Sequence, residues 1–134
     1  LLGNGTAALT NKLSILENGN VGINDNTPSY KLDVNGTGRF TSTVTATNFI
    51  LSSDETLKDN IKEIDTKHVD VDWKNFELKS EPGIKRAGVI AQELEIKHPE
   101  FVRTADDGLK SVAYIDLLIT KIAELEARLE KLEK

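Results

Sequence analysis

The end of the chain carries a heptad repeat. Ile115, Leu118, Ile122, Leu125, Leu129 and Leu132 are spaced alternately by three and four residues. That is a coiled-coil seam, with Ile115, Ile122 and Leu129 at a and the leucines between and after them at d. The register places Lys121 and Arg128 at g, and Glu126 and Glu133 at the following e positions. Both g-to-e pairs are then opposite in charge between parallel chains, so a parallel assembly is expected. Ile at a with Leu at d leans toward two strands, and Leu129 at the last a weakens that lean. A seam of about three heptads is marginal alone. The competing reading, one amphipathic helix packed on its own domain, fits less well, because the stripe narrows to strict a/d after Ile122.

The rest of the chain must therefore fold as part of an assembly or beside one. Residues 1–50 are rich in Gly, Asn and Thr. "KLSILENGNVGI" predicts a β-hairpin: Leu13 and Ile15, a turn at Asn18-Gly19-Asn20, then Val21 and Ile23. "NDNTPS" predicts a second turn. "YKLDVNGTGRFTSTVTATNFI" alternates, with Tyr30, Leu32 and Val34 on one side and later Phe40 and Val44, interrupted at Gly36 and Gly38. Apolar side chains are too thinly spread here for a monomeric core, so several copies are expected to wind together and share one. Residues 54–110 predict a small α+β unit. A helix is expected over about 54–65, then two strands, "VDWKNFELK" and "IKRAGVI", joined by Ser80-Glu81-Pro82-Gly83. "AQELEIKH" predicts a short helix stopped before Pro99, and "FVRTADDGLKSV" a hairpin turning at Asp107-Gly108. Residues 111–134 hold the seam. The fold class is α+β: an intertwined β-rich zone, a small mixed core and a parallel coiled-coil helix.

Composition narrows the function classes. With 134 residues the chain has room for one modest domain or two small ones. It starts at Leu1 and contains no Met, which predicts an excised piece of a longer protein. The net charge of −5 argues against non-specific nucleic-acid binding. No apolar run reaches membrane-spanning length. Zero Cys excludes disulfides and thiolate metal sites and fits cytosolic assembly. Aromatic content of 5% is low for a compact domain, so part of the stability is expected from association between chains. His68 and His98 lie 30 apart without ligand spacing, and Asp106-Asp107-Gly108 lacks the later ligands of a calcium loop, so no metal and no cofactor is expected.

The stretch "LSSDETLKDNI" supports two readings. As local structure it is a helix start, with Ser52 as N-cap, Glu55 closing a capping box, and Leu57, Ile61 and Ile64 as one stripe. As chemistry, a Ser followed five residues later by a Lys is raw material for a Ser-Lys protease. Ser is a poor nucleophile without a base, and a neutral Lys can be that base. A lysine in water titrates near ~10.4, so only about one in 2,500 is neutral at pH 7. Burial must lower that value, and a drop of about three units costs roughly 4 kcal/mol. On a continuous α-helix, residues five apart are separated by about 140°. The serine must then lie in extended chain before the helix, or the lysine must come from a neighbouring subunit.

Four stretches in order, "SSDETLKDNIKEI", "GVIAQELE", "HPEFV" and "GLKSVAYIDLLITKIAELEARLEKL", resemble the C-terminal intramolecular chaperone, or peptidase S74, domain of bacteriophage tail spikes and fibres. "GNVGINDNTPSYKLDVNGTGRFTSTVTATNFI" resembles, more loosely, the last stretch of a fibre stalk. The resemblance covers residues 52–134 with good specificity. It implies residues 1–53 as the stalk end, 54–110 as the chaperone core and 111–134 as a trimerisation helix. It implies a homotrimer whose helper domain assists folding of the upstream fibre and then cuts itself off by a Ser-Lys reaction, once per chain. Carried over residue by residue, the nucleophile falls on Ser53, the base on Lys58 and the cut on the Ser53-Asp54 bond. Ser53 attacking its own carbonyl would close a strained four-membered ring, so that cut calls for a nucleophile from another chain or a different role for Ser53. Attack on the Ser52 carbonyl would close a five-membered ring and cut one bond earlier. The family often has a basic residue where this chain has Thr56, a departure that touches cleavage rate rather than the dyad. Gln92 and Glu93 lie in a family motif and are expected at interchain contacts.

The resemblance also implies assembly in the host cytoplasm, a mature fibre on the virion and a released chaperone, with a host receptor as a further partner of the fibre. Two rival readings remain open on the residues. One is a permanent trimeric end-cap or receptor-binding tip without proteolysis. The other, a Ser-Lys peptidase acting in trans, lacks an evident substrate groove.

Overall fold

The computed structural model describes residues 12–134, and the part of the first zone before Lys12 lies outside them. The chain divides into two compact units, Leu1–Ser53 and Asp54–Lys134.

In the first unit three short strands form one sheet: β1 (Leu13–Ile15), β2 (Val21–Ile23) and β3 (Leu32–Val34), in that order. β1 and β2 are the antiparallel hairpin expected from the sequence, with Leu13 opposite Ile23 and Ile15 opposite Val21. Its turn closes through Gly19 N–H to Leu16 O (2.9 Å) and Leu16 N–H to Asn20 O (3.0 Å). Gly19 takes φ +81°, a value glycine reaches without steric cost. β3 then joins β2 in parallel, with Val21 opposite Leu32 and Ile23 opposite Val34. The connection between them folds back under the sheet. A Cβ on Gly22 would lie 2.1 Å from Asp25 O, so only glycine permits that approach. The expected strand alternation beyond β3 is absent, because residues 35–53 contain neither helix nor strand. Phe40, Phe49 and Ile50 are exposed there. A Thr- and Val-rich segment has strand propensity, but a strand requires a neighbour to accept its hydrogen bonds.

The second unit is α+β. β4 (Lys74–Leu78) and β5 (Glu81–Gly88) form an antiparallel ribbon. The sequence places the turn at Ser80 to Gly83, but Leu78 already pairs with Glu81, so the turn is Lys79-Ser80. Pro82-Gly83 instead sits where the register shifts, between the Phe76–Arg86 and Leu78–Glu81 pairs. Gly83 has φ +84°, and its N–H donates to Glu77 Oε2 at 2.8 Å. α1 (Ala91–Lys97) ends where expected, with His98 N–H reaching Leu94 O at 2.7 Å and Pro99 unable to continue the ladder. A 3-10 turn at Pro99–Phe101 leads into β6 (Val102–Thr104), which pairs antiparallel with β7 (Lys110–Val112) around a turn where Gly108 has φ +81°. α2 (Tyr114–Glu133) closes the chain, starting three residues later than the seam zone because Ser111 and Val112 belong to β7.

The core of this unit is small: Val69, Val89, Leu94, Phe101, Val102 and Leu117, with Val112 and Tyr114 packed against it. α2 joins the core with one stripe only. Leu117 is fully buried and the Tyr114 hydroxyl accepts the Val89 N–H at 3.0 Å. The heptad residues lie on another face and remain about half exposed, from 45% at Leu118 to 56% at Leu129, with Leu132 at 84%. Among the described residues no helix is long and apolar enough to cross a membrane.

Candidate functional site

The expected helix over 54–65 does not form. One 3-10 turn, Glu55–Leu57, stands in its place, and residues 58–73 hold no helix or strand. The cap is Asp54, not Ser52. The Asp54 carboxylate accepts the Thr56 N–H at 2.9 Å and the Thr56 hydroxyl at 2.6 Å. These two bonds, the hydroxyl first, hold its carboxyl below the usual carboxylate range. Thr56, the position where the resemblance implies a basic residue, is therefore the residue that orders Asp54. Leu57 N–H to Asp54 O and Lys58 N–H to Glu55 O complete the turn. Asn60, at φ +54°, then bars an α-helix from continuing. Leu57, Ile61 and Ile64 stay exposed, so the predicted stripe has nothing to pack on, and a short helix without a packed face is marginal.

Ser53 precedes this turn in chain without helix or strand, and Lys58 closes it in extended conformation, φ −124° and ψ 142°. Both residues are exposed in the single chain. The helix geometry that would hold the two side chains about 140° apart does not arise. The division of the chain into its two compact units falls at the Ser53-Asp54 bond.

A second cluster escaped sequence reasoning. Glu124 lies within α2 and is only 1% exposed. Its Oε2 accepts the Val69 N–H (3.1 Å) and a bond from Lys121 Nζ (2.7 Å). Its Oε1 lies 2.8 Å from His68 Nδ1 and 3.4 Å from Arg128 Nη1. Lys121 Nζ also donates to Val69 O at 2.8 Å. Both backbone groups of Val69 are thus satisfied by side chains of α2, as a neighbouring strand would satisfy them. The result pins the irregular segment that follows Lys58 to the seam helix. Tyr114, Leu117, Lys121, Glu124 and Arg128 repeat with spacings of three and four, parallel to the heptad seam and one residue before it. The signal was present, but its later members are charged, and a search for apolar periodicity assigns charged residues to solvent.

Lys121 first, then His68 and the Val69 N–H, hold the Glu124 carboxyl far below the usual carboxylate range. A depressed carboxylate contributes stability above its unfolded pKa, roughly 4.3, and loses it as pH falls toward the folded value. Acid should therefore weaken the second unit from about pH 4 downward. Glu124→Gln should melt below the wild type at pH 7, and its melting temperature should change less between pH 7 and pH 3. Thermal scans at the two pH values check this; an unchanged gap would remove Glu124 from the acid response.

His98 lies apart from this cluster, 3.3 Å from Glu100, and Glu93 pairs with Lys74 at 3.4 Å. Compared with known families, residues 53–103 match the family model Peptidase S74, chaperone of endosialidase. The match begins at Ser53 and ends in β6, before the seam helix. No curated protein and no solved structure matches the chain.

Proposed function

Residues 53–103 form a domain of the peptidase S74 family, the chaperone of endosialidase, and from this we propose that the chain is the end of a phage fibre stalk joined to its own trimerisation and folding helper. The helper gathers three chains through Ile115, Leu118, Ile122, Leu125, Leu129 and Leu132. It then removes itself at the Ser53-Asp54 bond, with Ser53 as nucleophile and Lys58 as base. The observation that carries this reading is the family match itself, which starts at the proposed nucleophile. The half-exposed seam supports the assembly step, because α2 spends a different face on its own core.

Assembly supplies what the single chain lacks. Lys58 is exposed, whereas a lysine that accepts a proton at neutral pH must be desolvated. In this reading, docking of the second units buries Lys58 and starts the reaction. Interwound β stalks need such help, since a one-residue slip reverses every side chain and non-local pairing is slow. A coiled coil forms locally and can gather the chains first. Removing it afterwards takes away the easiest point of reopening and leaves the stalk kinetically trapped.

The exposure of Lys58 also supports a second reading, a permanent trimeric end-cap or receptor-binding tip without proteolysis. Intact mass of the purified assembly decides between them. The proposal expects an upstream piece ending at or next to Ser53 and a second piece near residues 54–134. A trimer of one undivided mass would establish the end-cap.

A further inference from the structure

The sheet of the first unit has two unlike faces. Its register aligns the strands in three rows: Leu13–Ile23–Val34, Ser14–Gly22–Asp33 and Ile15–Val21–Leu32. Side chains alternate along a strand, so the two outer rows share one face and the middle row takes the other. The middle-row face is closed by the chain itself. Ser14 is 6% exposed and bonds to Asn26 Oδ1 at 3.1 Å, while Gly22 packs under Asp25 and Pro28. The opposite face presents six aliphatic side chains and no polar one. Five of them are 39–59% exposed, and Val21, at the centre of its row, is half buried. Among the described residues nothing covers this face.

We infer that this aliphatic face is a homotypic interface, closed by the same face of other copies of the chain. The inference rests on the proposed homotrimer and adds a second, separate contact to it. Three strands of three residues each are below what a sheet needs to stand alone, so the face requires a cover to be stable. A surface without a donor, acceptor or charge offers nothing to a polar ligand and is matched only by another apolar surface. A second copy supplies an identical one. Parallel chains, which the heptad charges favour, bring that face to the same height in every copy. Each sheet then turns its polar side, already sealed by residues 24–29, to solvent. The seam at one end of the chain and this face at the other would bracket everything between them.

The chain contains no Cys, so single-cysteine variants report proximity cleanly. Three variants are made in full-length Ser53→Ala protein: Val21→Cys on the face, Leu118→Cys on the seam and Thr27→Cys on the outer connection. After mild oxidation, Val21→Cys and Leu118→Cys should each give mostly covalent dimers on a non-reducing gel, and Thr27→Cys almost none. Adding Ile15→Asp to Val21→Cys should cut its dimer yield several-fold. If Leu118→Cys links and Val21→Cys does not, the face is covered from within its own chain and this inference is wrong, while the trimer reading stands. If Val21→Cys links and Leu118→Cys does not, the face is homotypic and the seam reading fails. If neither links, both fail.

Discussion

Ser53→Ala should leave the chain whole on a denaturing gel while the wild type divides. The substitution removes one hydroxyl at an exposed position outside every helix and strand. Its effect on folding should be within about 0.5 kcal/mol. Its effect on cleavage should be a loss of about a thousandfold or more, the order seen when a nucleophile is deleted. Lys58→Ala should match it. The turn survives that change, because Lys58 holds it through its backbone N–H to Glu55 O at 3.0 Å, not through its side chain. Both variants should sediment as trimers. Wild-type cleavage should be independent of protein concentration once trimers exist, and should speed up with pH, since only a neutral amine takes up a proton. Mass spectrometry of the new C-terminus locates the cut. If Ser53→Ala cleaves like the wild type, Ser53 is no nucleophile and the protease reading ends.

The second large effect is expected at the seam. Leu125→Asp with Leu129→Asp places two charges where the proposed assembly buries leucines. An unpartnered charge in such an interface costs on the order of 3–5 kcal/mol, which is more than a short seam can absorb. Sedimentation equilibrium at micromolar concentration should show a monomer, and cleavage should fall with the trimer. The single chain should nevertheless stay folded. Leu125 and Leu129 are 49% and 56% exposed, and the helix is held to its unit through Leu117 and Glu124 on another face. A monomeric variant that still cleaves at the normal rate would show that assembly does not gate Lys58. A monomeric wild type would remove the trimer reading altogether.

Elements written by turn chemistry were legible in the sequence. The hairpins β1–β2 and β6–β7 turn at the glycines that mark them, and α1 stops at the residue before Pro99. These signals act over two to four residues and do not depend on the rest of the fold. The expected helix over 54–65 failed for the opposite reason. A cap and a 3.6-residue stripe are local, but Leu57, Ile61 and Ile64 have no surface to meet within their own chain. The cap moved to Asp54 because its carboxylate reaches both donors of Thr56. Pro82-Gly83 misled differently: it marks an irregularity inside a strand, and the turn lies at Lys79-Ser80. At the site, Ser53 and Lys58 were legible through resemblance, since spacing alone also described a helix start. Glu124 was not legible, because burial of a carboxylate depends on Val69 and His68, more than 50 residues away.

Lys121 has a consequence for partner choice. Heptad positions assign it to a g-to-e pair between chains, yet its Nζ already donates to Glu124 and to Val69 O in its own chain. Of the two cross-chain pairs, only Arg128 with Glu133 keeps a cation that is mostly in water, and that pair sits in the last turn, where helices fray. Charge therefore does little to sort one seam from another. Added salt should barely change assembly, and a related fibre of the same seam shape would not be repelled. Discrimination against the wrong chain falls to side-chain shape, to the alternation of Ile and Leu down the seam and the exposed Ile119 beside it.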